Sequence, residues 1–81
     1  MIDKNTLLAH VGRLLELAKA RDTNQGVKVY EGALKKIGEA SSQSEVEIFA
    51  EKLRHALAGI EAHGHFTSEE FEVVKAIRAM S

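Results

Sequence analysis

The chain has 81 residues, of which 44% are hydrophobic and 28% charged; this bounds it to one folded domain with a small core and excludes wholesale disorder. With 11 basic and 12 acidic residues the formal net charge is −1, so no strong field draws it to nucleic acid or an anionic membrane. There is no cysteine, hence no disulfide framework and no thiolate metal site, a composition that suits the cytoplasm.

The start, Met1-Ile2-Asp3-Lys4-Asn5, is polar, and no apolar run reaches the length of a signal h-region or a membrane span, so neither secretion by a cleaved signal nor membrane insertion is expected. Proline is absent and apolar residues recur at helical spacing almost throughout. The expected fold class is therefore all-α, a small bundle of three to four helices in a single domain over residues 1–81.

In chain order, Leu7, Leu8, Val11, Leu14, Leu15 and Ala18 share an arc of about 120°, which predicts an amphipathic helix over 4–21. Asp3 or Asn5 can cap its start, and Lys19 and Arg21 complement the dipole at its end. Asp22-Thr23-Asn24-Gln25-Gly26 reads as a break. Val27, Tyr30, Leu34 and Ile37 then define a second helix over 25–37, ending near Gly38. Gly26 and Gly32 each cost about 1 kcal/mol relative to alanine in a helix, which leaves open whether this helix is short or continuous with the first.

Ser41-Ser42-Gln43-Ser44 offers two overlapping capping boxes, Ser42 with Glu45 and Ser44 with Glu47. They open a third helix over 44–62, whose stripe is Val46, Phe49, Ala50, Leu53, Ala56, Leu57 and Ile60. Gly64 suits a left-handed helix stop, and Thr67 with Glu70 forms a capping box. Phe66 and Phe71 are placed as its hydrophobic staple. The fourth helix spans 68–80; Val73, Val74, Ala76, Ile77 and Met80 cover about 160°, which predicts burial on more than one side.

Leu53, Leu57, Gly64, Phe66, Thr67, Glu70, Phe71 and Lys75 match in order a pattern of helix leucines followed by Gly-x-Ile-Thr-x-x-Glu-Phe and a lysine, with Phe66 in the isoleucine position. The last third of the chain therefore resembles the short C-terminal domain (SHOCT) family. That resemblance implies a helical hairpin that supports oligomerisation and has no catalytic residues. Phe66-Thr67-Ser68-Glu69-Glu70-Phe71 is also similar to the Tyr-Thr-x-x-Glu-Phe helix start of colicin-type immunity proteins, although their acidic inhibitory helix has no clear counterpart here.

His63 and His65 flank Gly64, and His55 lies two turns before His63. With Glu61 or Glu69 they are the only metal-ligand candidates, too few and unfixed in distance, so no metal or cofactor is assigned. His10, among leucines, reads as a boundary residue. The hydroxyls of Ser42, Ser44 and Thr67 have capping roles, and the paired carboxylates Glu45/Glu47 and Glu69/Glu70 sit at helix starts that favour ionisation. No catalytic residue emerges. Lys19, Arg21, Lys28, Lys35 and Lys36 form a cationic strip without interleaved aromatics or a recognition helix.

What remains is apolar surface off the main arcs: Leu17, Val29 and Ile48, together with Phe71, Val73, Ile77 and Met80 of the wide fourth helix. These residues point to a small helical protein-protein interaction module, either a homodimer or a binder and modulator of a larger bacterial protein, host, phage or mobile-element encoded. The alternative is a metal-responsive or nucleic-acid-binding regulator using His55, His63 and His65 or the lysine strip.

Overall fold

The computed structural model describes residues 1–21, 24–64 and 66–80. Four helices follow one another: α1 Lys4–Arg21, α2 Asn24–Glu39, α3 Gln43–His63 and α4 Ser68–Ala79. No strand occurs among the described residues, so the protein is all-α. Of the expected break Asp22-Thr23-Asn24-Gln25-Gly26, Asn24, Gln25 and Gly26 are helical and form the first turn of α2, and Asp22 and Thr23 lie outside the described residues. Even so, α1 and α2 pack along each other more extensively than any other pair, as two halves of one continuous helix cannot.

Helices α1, α3 and α4 start where side chains satisfy orphaned amides. Asp3 caps α1: its Oδ2 accepts from the Thr6 amide at 2.9 Å and from Thr6 Oγ1 at 2.6 Å. Those two bonds hold the Asp3 carboxyl below its usual range. Of the two boxes offered before α3, Ser42 is the cap, its hydroxyl accepting from the Glu45 amide at 3.2 Å. Glu45 reaches back to Ser41, accepting from its hydroxyl at 2.5 Å and from its amide at 3.0 Å, and these bonds lower the Glu45 pKa. Ser44 lies inside the helix, and Glu47 accepts from Gln43 Nε2 at 3.3 Å.

The Thr67–Glu70 box is complete: the Glu70 amide donates to Thr67 Oγ1 at 3.2 Å and the Thr67 amide to Glu70 Oε1 at 2.9 Å. Gly64, expected in the left-handed conformation, is instead extended at φ −162°. A Cβ added there would meet only the Ile60 carbonyl oxygen, at an ordinary 3.6 Å. The chain leaves α3 in a conformation open to any residue, so this joint does not depend on glycine. Phe66 packs against the core, whereas Phe71 stays at the surface beneath the Lys75 ammonium, 5.4 Å from its ring centroid.

The core follows the helical repeat. Leu7, Val11, Leu14 and Ala18 of α1 are buried, as are Val46, Ala50, Leu53 and Leu57 of α3; both sets run i, i+4, i+7, i+11 along one face. Tyr30 and Ile37 enter from α2. The buried stripe of α4 is Glu70, Val74 and Ile77, with Val73 and Met80 half-buried at its edges. The wide apolar arc of α4 is thus one stripe with fringes, and not a helix covered on two sides.

Polar contacts tie the ends. Lys4 Nζ donates to the Ala40 carbonyl at 3.0 Å, and Gln43 Nε2 donates to the Ile2 carbonyl. Arg54 on α3 donates to the Met80 carbonyl, satisfying the end of α4, and Arg78 pairs with Glu61 at 2.9 Å. The accessible surface is 4889 Å², close to the roughly 4,800 Å² expected for a monomer of this mass.

Candidate docking groove

One seam of the bundle does not fill. Val29, Gly32, Ala33 and Lys36 of α2 face Phe49, Lys52, Leu53 and Ala56 of α3 across an open groove of about 160 Å³. Both quartets run i, i+3, i+4, i+7, so each forms a continuous helix face. Periodicity brings the faces together, and Gly32, Ala33 and Ala56 leave space between them that larger side chains would fill. A Cβ built on Gly32 would find nothing within 4 Å.

The walls are almost wholly apolar and the rim is cationic. Lys36 and Lys52 are exposed and make no ion pair among the described residues. The Lys52 ammonium lies 5.8 Å from the centre of the Phe49 ring. One residue before Phe49 and one helical turn before Lys52, Ile48 stands 53% exposed at the surface of α3.

The apolar residues singled out from the sequence take different places. Val29 lines the groove. Ile48, which is not part of the groove lining, and Phe71, at 39% exposure on α4, are exposed. Leu17, Val73 and Met80 are half-buried, the last two packed against the core. Ile77 is 1% exposed and belongs to the core; its position seven residues after Glu70 and three after Val74 puts it at the centre of the α4 stripe, so it leaves the set of surface candidates.

The histidine group does not assemble among the described residues. His55 is exposed, its Nε2 3.4 Å from Glu51 Oε1, while His65 and the side chain of His63 lie outside what the structure describes. No cluster of three potential ligands occurs among the described residues. In the cationic strip, Arg21 is occupied by Glu70, whereas Lys19, Lys28, Lys35 and Lys36 are exposed.

A second polar feature is the buried carboxylate Glu70, 2% exposed, where it accepts from both the Thr67 amide and the Arg21 guanidinium. Arg21 is one-third exposed, so one partner of the pair is dry and the other reaches water. The Tyr30 ring is buried nearby, and its hydroxyl pKa is pushed up to about 12 by burial and by the Glu70 charge, against the opposing pull of Arg21. The cluster joins α1, α2 and the first turn of α4, and this closed, inward-facing arrangement makes it a fastening for the helices. Its signal in the sequence was position: Glu70, Val74 and Ile77 share one helix face, so the capping glutamate had to face the core.

No family model, no curated protein and no solved structure matches the chain.

Proposed function

We propose that the chain is a small helical protein-protein interaction module whose α2–α3 groove receives an apolar side chain from another polypeptide. The observation that carries the reading is the unfilled apolar seam itself. In a bundle whose other stripes reach the core, Gly32, Ala33 and Ala56 hold open about 160 Å³ lined by Phe49 and Leu53, a concave apolar surface with a few polar groups at its rim, as binding sites generally are. The reading assigns the protein no catalytic chemistry and no cofactor. It is favoured over a metal-responsive or nucleic-acid-binding role because the groove is a formed site, whereas His55 stands exposed beside Glu51 and no cluster of three potential ligands occurs among the described residues.

The groove can be closed without harming the fold. Gly32→Ala and Gly32→Leu both add helix propensity where a Cβ meets nothing, but only leucine is long enough to occupy the space. In affinity capture with quantitative mass spectrometry, together with sedimentation velocity for self-association, Gly32→Ala should keep the associations of the wild type. Gly32→Leu should weaken them at least about tenfold, the scale of one lost apolar anchor. Identical associations for Gly32→Leu and wild type would remove the groove from the protein's function.

A further inference from the structure

We propose that the groove's occupant is a second copy of this chain, whose Phe71 inserts between α2 and α3 while its neighbours Glu69 and Glu72 meet Lys36 and Lys52. This inference rests on the reading of the groove as a polypeptide-binding site and names its ligand.

Size is the first argument. An enclosed apolar cavity of about 150 Å³ accepts a benzene ring, and the open groove, at about 160 Å³, has room for a phenyl group. Phe71 is the only aromatic among the exposed large hydrophobic residues. The Phe49 ring in the groove wall gives the incoming ring an aromatic neighbour, a pairing favoured beyond the area it buries.

Charge is the second. On either side of Phe71, Glu69 and Glu72 are 72% and 71% exposed; their present partners are Arg13 at 3.3 Å and Lys75 at 3.1 Å. Such exposed pairs hold weakly and re-pair readily. Lys36 and Lys52, without an ion pair among the described residues, bring positive charge to the groove's rim, so docking exchanges Arg13 and Lys75 for these two lysines and moves the Lys75 ammonium off the Phe71 ring.

Preorganisation is the third. Phe71 follows directly on the Thr67–Glu70 box, and Glu70 is fastened to Arg21. The first turn of α4 is thereby rigid, and little freedom is lost when its exposed ring docks. Reciprocal insertion closes a two-fold dimer, whereas one-way insertion extends a chain of copies.

Sedimentation velocity and light scattering on the full chain across micromolar to millimolar concentration provide the test, with circular dichroism confirming helicity. The wild type should self-associate, more strongly at low salt. Phe71→Glu, which alters a surface residue outside the core, should weaken self-association at least about tenfold, and Gly32→Leu should do the same from the socket side. An equimolar mixture of the two variants should recover a heterodimer, because one supplies an intact knob and the other an intact socket. Three results would overturn the inference: a monomeric wild type at millimolar concentration, undiminished association of Phe71→Glu, or a mixture that stays monomeric. If Ile48→Glu abolished association while Phe71→Glu left it intact, the contact would run through Ile48 and the knob assigned here would be wrong. A monomeric wild type that still loses a captured foreign polypeptide on Gly32→Leu would sink self-docking and leave the groove's role standing.

Discussion

The seam between α1 and α4 and the seam between α2 and α3 obey the same helical spacing and finish differently. In the first, Glu70, Val74 and Ile77 of α4 are buried, and the polar member of that stripe is matched by Arg21 and the Thr67 amide. In the second, the corresponding positions carry Gly32, Ala33 and Ala56, and space remains between the side chains although the two backbones pack as closely as in the first. Spacing decides which residues face each other; volume and polar satisfaction decide whether the interface shuts. A shut seam stabilises the fold, and an open one is available to something else.

The largest expected effect tests the closed seam. Glu70→Ala removes half of the capping box, empties a buried site and strips Arg21 of its partner. Losing one member of a fully buried pair costs about 3–5 kcal/mol; because Arg21 can turn to water, about 2–3 kcal/mol is expected in urea unfolding. A loss under about 0.5 kcal/mol would show that the cluster fastens nothing.

Next comes alkaline stability. The Tyr30 pKa is raised in the folded state to about 12, against about 10 in the unfolded chain. The folded state thus holds this proton more tightly, so the contribution is complete below pH about 10 and is lost as pH rises through about 12, with a slope approaching 1.4 kcal/mol per pH unit. Tyr30 is the only tyrosine and there is no tryptophan, so tyrosinate absorbance reports the titration directly. Tyr30→Phe should flatten the slope; an unchanged slope would assign it to other groups.

The open seam is probed by a smaller change of opposite sign. Gly32→Ala should raise stability by about 0.8–1 kcal/mol in thermal or urea unfolding, the full helix-propensity gain, because the added methyl meets no neighbour. Destabilisation would mean that the groove is narrower than its walls indicate. The smallest effect belongs to the exposed bridge between the closed-seam helices: Arg13→Ala, which removes the pair with Glu69, should change stability by less than about 0.5 kcal/mol. A larger loss would extend the fastening beyond Glu70.

Helices and their starts were legible because they are local. Asp3, Ser42 and Thr67 cap residues close to them in the chain, and the apolar repeat of α1 and α3 contains the buried core residues of both helices, with Leu8, Leu15, Phe49, Ala56 and Ile60 half-buried at its edges. The Gly64 stop was misread because glycine permits the left-handed conformation without requiring it. The groove was in view only as separate facts. Val29 stood off the main arc of α2, Gly32 counted as a cost to its helix, and Phe49 and Ala56 passed as ordinary members of the α3 stripe. What turns them into a site is the pairing of faces from two different helices, which no local pattern encodes.

The sequence by itself determined that this chain is helical, where three of its helices are capped and which face of α1 and of α3 turns inward, because those outcomes depend on side chains within a turn or two of one another. Only the tertiary structure decided that Glu70 is buried with Arg21, that Ile77 is core while Phe71 stands in water, and that α2 and α3 meet across a gap. Those outcomes depend on the volumes and charges that distant segments bring to the same place, and a short bundle has few large residues with which to fill every seam.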